Sequence, residues 1–155
     1  MGVHLVIRLE KEYHIDLPRE DVWHAIQNPD ILAQILPNCQ SLEPKGNNQF
    51  TAHIDIKVGP VRSKFQSSFE MFDIHEPEGY KFLDRGNGKN GSMNGRGEIK
   101  LHSNENGTNF TFIAEGNVAG ILARVGQRLI EVTGKKLMDQ GFENFKNRVI
   151  ENNMA

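Results

Sequence analysis

The sequence is most informative at first for what it lacks. A single cysteine, Cys39, stands in 155 residues, so no internal disulfide can form and a reducing compartment suits the chain. Cys39 has no Cys-x-x-Cys context to activate its thiol, and neither Ser-x-x-Lys nor Gly-x-Ser-x-Gly occurs, so no familiar nucleophile is offered. No apolar run approaches the roughly 18 residues needed to span a bilayer. The opening segment lacks the basic start and apolar stretch of a signal peptide. The expectation is a cytoplasmic protein, with at most peripheral contact at the inner face of the cell membrane. Neither sign of charge dominates: 18 Lys and Arg against 20 Asp and Glu leave a net −2, scattered along the chain. Without a basic stripe to neutralise phosphates, nucleic acid is excluded as a partner. The six histidines, His4, His14, His24, His53, His75 and His102, show none of the short spacings of metal ligands, so no metal and no cofactor is expected.

What is present reads as one α+β domain over residues 1–155, long enough to bury roughly 70% of its unfolded surface. From Val3 to Ile15, Leu5, Ile7, Leu9, Tyr13 and Ile15 alternate with polar residues, which predicts a strand. Pro18, Glu20 and Asp21 then open a short helix that buries Val22, Trp23 and Ile26. Asn28 and Pro29 restart the chain as a second short helix, which Pro37 ends. From Phe50 the period becomes two. Strands are predicted at Phe50 to Val58, from Val61 to Met71, and around Tyr80 and Phe82, Ile99 and Leu101, and Phe110 to Ala114. Short turns make the sheet an antiparallel meander. After Gly120 the spacing of Leu122, Val125, Leu129, Val132, Leu137, Phe142, Phe145 and Val149 predicts one long helix from 120 to about 150.

Two glycine patterns carry opposite weight. Gly86 to Gly91, GNGKNG, has the spacing of a dinucleotide-binding fingerprint, but that chemistry needs a helix after the loop, and a strand follows here. A hairpin turn is the reading that fits. On the apolar face of the strands, Ala52, Ser63, Ser67, Gly97, Ala114 and Gly116 interleave with phenylalanines, and small residues do not fill a core. Gly126, Gly134 and Gly141 fall within the predicted long helix, each costing about 1 kcal/mol against alanine. Two explanations stay open: close helix-to-sheet packing, or a cavity between them. On the second, the lining is expected from Phe50, Phe65, Phe69, Tyr80, Phe82, Phe112, Leu122, Val125, Gly126 and Leu129. The inferred inward face offers Ser63, Ser67 and Tyr80 but no Asp, Glu or His, so general acid-base chemistry lacks a player.

Four strings, DVWHAIQNPDILAQILPNCQSLE, VGPVRSKF, GSMNGRGEIKL and VGQRLIEVTGKKLMDQGFENF, occur in this order over nearly the whole chain. With the order of elements, they resemble the START-like helix-grip superfamily and, within it, the carbon monoxide dehydrogenase G-subunit (CoxG) family. The resemblance implies a curved antiparallel sheet wrapped around a C-terminal helix, with a hydrophobic cavity. It also implies an accessory, non-catalytic role beside molybdenum hydroxylases such as carbon monoxide dehydrogenase, connecting them to the membrane and its quinone pool. A quinone or similar lipid-like isoprenoid is then the expected ligand and hydroxylase subunits the expected partner. Asn38 replaces the glycine of the family's Pro-Gly-Cys turn, a position where asparagine also accepts left-handed geometry. Some members attach to membranes through a long C-terminal extension. This sequence stops at Ala155, so unaided anchoring is not expected. Two alternatives remain beside this reading: a cyclase- or hydrolase-like enzyme, which would need a buried acid or base, and an assembly factor without a ligand, which would show a packed interior and an exposed apolar patch.

Overall fold

The computed structural model describes residues 4–36 and 39–154. Val3, Pro37, Asn38 and Ala155 lie outside the described residues. Strand β1 (His4–Ile15) leads into helices α1 (Arg19–Gln27) and α2 (Pro29–Leu32). Strands β2 (Cys39–Gly46), β3 (Gln49–Val58), β4 (Val61–His75), β5 (Gly79–Gly88), β6 (Gly91–Asn104) and β7 (Gly107–Ala119) follow, then a short 3-10 helix (Ile121–Val125) and the long helix α3 (Gln127–Met154). The seven strands form one antiparallel sheet, in which β2 to β7 run in sequence order and β1 returns to lie beside β7.

Local chemistry accounts for the turns between these elements. Asn28 stops α1 and caps α2, its side-chain oxygen accepting from the Asp30 amide at 3.0 Å, and Pro29 occupies the first helical position, where a missing N–H costs nothing. The GNGKNG segment is a β5–β6 hairpin in which Gly88 pairs with Gly91 across Lys89 and Asn90, and no helix follows it.

Two elements differ from the sequence reading. Strand β2 is absent from that reading, because its segment has few apolar residues and contains Pro44. It forms because it is an edge strand, paired only to β3, where a missing donor can be tolerated. The helix expected to run unbroken from 120 to 150 is instead divided. The 3-10 turn ends at Gly126, whose φ of 99° lies in the region that favours glycine, and α3 begins one residue later. The break resets the helical phase. Ile130, Phe142, Phe145 and Val149 are buried beneath α3, whereas Leu129 and Val132 are 37% and 58% exposed.

The apolar interior is divided into two clusters. One gathers α1, α2 and the C-terminal half of α3 around Trp23, Tyr80, Phe110 and Phe145. The other gathers the 3-10 turn and the start of α3 around Ile7, Phe65, Val118, Leu122 and Ile130.

Candidate functional site

Between the clusters lies a cavity of about 290 Å³. Its floor is the inner face of the sheet: Phe65, Ser67 and Phe69 from β4, Phe82, Asp84 and Gly86 from β5, Met93 and Gly95 from β6, and Phe112, Ala114 and Gly116 from β7. Its roof is α3, through Ile130, Thr133, Gly134, Leu137, Met138 and Phe142. Leu122 and Leu32 belong to its lining from the 3-10 turn and α2. The walls are overwhelmingly apolar, and the volume lies near the lower end of ligand cavities, about 300 Å³.

Aromatic rings form a ladder across the floor. Phe69 stacks on Phe82 with centroids 5.3 Å apart, and Phe82 stacks on Phe112 at 5.6 Å. Beside the ladder the side chains shrink: one row across the sheet runs Ile7, Gly116, Gly95, Asp84, Phe69. The paired glycines leave the floor low next to Asp84, and space opens above them.

Of the ten residues expected to line a cavity, Phe65, Phe69, Phe82, Phe112 and Leu122 do. The other five lie elsewhere, each for a physical reason. Tyr80 faces inward but sits beneath α1, edge-on to Trp23 at 6.3 Å, with its hydroxyl donating to the Ile26 carbonyl at 3.4 Å; burial pushes its phenol pKa up. Phe50 packs behind Phe69, at 6.2 Å, in the first cluster. Val125 packs on the second cluster, and Gly126 is the helix break, with open space where a Cβ would project. Leu129 is turned off the sheet by the phase change, toward Gly59 of the β3–β4 turn.

Both explanations of the small residues hold, at different positions. Gly141 and Gly97 serve close packing: a Cβ on Gly141 would collide with the Ile35 carbonyl oxygen, and one on Gly97 would collide with the Phe82 ring and the Ile113 carbonyl oxygen. Gly86, Gly95, Gly116, Gly134 and Ala114 border the cavity.

The expectation of an inward face without acid is overturned by Asp84. On β5 the inward positions are Tyr80, Phe82, Asp84 and Gly86, so the alternation that places the two aromatics also turns this carboxyl inward. Burial pushes its pKa up from 3.8 to about 6, with partial offset by hydrogen bonds from the Ser67 hydroxyl and the Arg85 backbone. Ser67 is itself 4% exposed and lines the cavity. At the opposite side, Tyr13 donates to Asp139 on α3 at 2.8 Å and stacks on Phe142 at 4.2 Å. Burial first, and then the Asp139 carboxylate, raise the Tyr13 pKa. Among the described residues no three His, Cys, Asp or Glu side chains are grouped to hold a metal ion.

An antiparallel sheet that grips a C-terminal helix around an apolar hollow defines a helix-grip domain, and the chain has that fold. Solved structures agree. A conserved protein from Geobacillus kaustophilus aligns with a TM-score of 0.85 at 29% identity, covering 95% of this chain and 96% of its own. The Zhui aromatase/cyclase from Streptomyces sp. R1128 aligns at 0.66 and 12% identity over 94% of both chains. Ara h 8.0201 aligns at 0.62 and 14% identity, over 94% of this chain and 99% of its own. At such identities the last two speak for fold alone. The chain belongs to the carbon monoxide dehydrogenase G-subunit (CoxG) family, whose model matches residues 12–150. No curated protein matches it by sequence. Among the described residues no helix is long and apolar enough to cross a membrane.

Proposed function

We propose that this chain is a non-catalytic accessory protein that holds one apolar small molecule for a molybdenum hydroxylase of the carbon monoxide dehydrogenase type, with a quinone or similar isoprenoid-bearing ring as the ligand. The observation that carries the reading is the cavity itself. An apolar core normally closes on itself at crystal-like density. Here phenylalanines wall a hollow of about 290 Å³ in a chain of the CoxG family. That volume, near the lower end of ligand cavities, suits a substituted ring, with a long isoprenoid tail extending beyond it. The lone cysteine suits a cytoplasmic setting, with contact at the membrane face arranged through the partner enzyme.

Native mass spectrometry of the protein purified from its own host, with extraction of whatever it carries, is the direct test. A bound quinone or prenylated ring, with hydroxylase subunits in the same eluate, supports the proposal. Protein that emerges empty and takes up no apolar probe in titration refutes it.

One observation favours a second reading. Asp84 supplies the inward-facing acid that an enzyme would need. Among the described residues the lining holds no histidine, and its other carboxylate, Glu115 on β7, is paired with Arg8 and Arg96. A ligand recovered with its mass unchanged after prolonged incubation speaks for carriage. A mass shift that disappears in Asp84→Asn speaks for catalysis.

A further inference from the structure

The cavity is apolar almost throughout, which makes its inward-facing carboxyl the feature most in need of a partner. The Ser67 hydroxyl and the Arg85 backbone partly stabilise its charge, while a carboxylate offers about four acceptor sites. Its cross-strand partner Gly95 and its same-face neighbour Gly86 carry no side chain that could donate to it. On the other flank is Phe69, which has no donor.

We propose that Asp84, positioned by Ser67, is the polar anchor of the cavity, and that it selects an apolar molecule ending in a hydrogen-bond donor, a hydroxyl or phenol, over one ending only in acceptors. The inference rests on the apolar-ligand reading above and narrows it. An ionised carboxylate accepts hydrogen bonds and cannot donate, so a hydroxyl satisfies it and an ether or carbonyl oxygen repels it. For a quinone-type ligand the preferred form is then the reduced one, which carries hydroxyls, over the oxidised one, which presents only carbonyls. The preference is expected to weaken in acid, because a protonated carboxyl donates as well as accepts and its pKa is pushed to about 6. The other titratable or charged lining residues have partners of their own. Tyr13 is committed to Asp139, and Arg96 and Glu115 pair at 3.6 Å, their side chains 75% and 40% exposed.

The test uses para-pentylphenol and para-pentylanisole, which are similar in shape and differ in the donor, titrated calorimetrically into the full chain. Wild type at pH 7.5 is expected to bind the phenol at least about tenfold more tightly, the worth of a charge-assisted hydrogen bond. The ratio is expected to shrink severalfold at pH 5.0, to about threefold in Asp84→Asn, and to near unity in Asp84→Leu. Equal affinity for the two probes in wild type at pH 7.5 overturns the anchor while leaving the apolar cavity standing. A tenfold preference that survives in Asp84→Leu assigns it to the extra methyl group and overturns the anchor too. Binding of neither probe removes the cavity reading and the anchor with it. The pH comparison needs no substitution, so a variant that fails to fold does not shield the proposal.

Discussion

Replacing Asp84 by asparagine is expected to stabilise the empty protein, and the gain is expected to depend on pH in a definite way. A carboxyl whose pKa rises from 3.8 in the unfolded chain to about 6 in the fold is held there at a cost whenever it is ionised. Each factor of ten in acidity is worth 1.36 kcal/mol, so the full shift corresponds to about 3 kcal/mol. Solvent reaching the cavity screens the charge and reduces this to about 1 to 2 kcal/mol. The sign follows from linkage. Below about pH 3.8 the folded and unfolded chains both carry the proton, and the cost vanishes. Between 3.8 and 6 the folded state binds more protons, so stability falls as pH rises, and above about 6 the loss is complete. Asparagine has the same shape, keeps an acceptor for Ser67, and has no charge to desolvate. Urea denaturation at pH 8.0 should therefore show a higher midpoint for Asp84→Asn with an unchanged slope. At pH 5.0 about half the difference should remain. A wild type more stable than Asp84→Asn at pH 8.0, or a difference that does not change with pH, would refute the reasoning that Asp84 is a desolvated charge without full compensation.

Other outcomes follow from the packing. Gly141→Ala improves helix propensity by about 1 kcal/mol, yet its Cβ would collide with the Ile35 carbonyl, so a net loss of about 1 to 3 kcal/mol is expected in thermal denaturation; a rise in melting temperature would contradict the close approach. Gly134→Ala meets only the side chain of Leu9, whose movable Cδ1 lies 2.8 Å away, so stability should change by less than about 1 kcal/mol while affinity for an apolar probe declines. Tyr80→Phe removes a long hydrogen bond to Ile26 and is expected to cost about 0.5 kcal/mol, leaving probe affinity unchanged because the ring lies outside the cavity; a tenfold loss of affinity would place Tyr80 in the site after all.

The strands that alternate clearly are legible in the sequence, because one buried face imposes a period of two, as Phe50 to Val58 shows. Strand β2 is hidden because an edge position relaxes that demand: Leu42 packs partly on the core, and Pro44 argues against a strand unless its place at the edge is known. The break at Gly126 is hidden for another reason. Leu122, Val125, Leu129 and Val132 are spaced as a helix would space them, and periodicity alone does not register that one residue between them takes a φ of 99°. The same division runs through the cavity. Phe65, Phe69, Phe82 and Phe112, which line it as expected, lie on strands, whereas Val125, Gly126 and Leu129, which do not, surround that break. The parity of Asp84 matches Tyr80 and Phe82 and so points inward, but Asp84, Arg85 and Gly86 read as the approach to a turn, whereas β5 continues to Gly88.

The divided interior also bears on how the molecule comes apart. Two clusters on either side of a hollow are joined by the sheet beneath them and by α3 above, so each can loosen at its own free energy, and the end built from α1, α2 and the last turns of α3 need not open with the end built on the 3-10 turn. A molecule lying against Phe82 and Phe142 on one side and Phe65 and Ile130 on the other would supply the contacts between the halves that the polypeptide omits. The occupant would then complete the core as well as ride in it. Slow amide exchange would spread from two regions to one, and release of the cargo would restore the looser, two-part molecule.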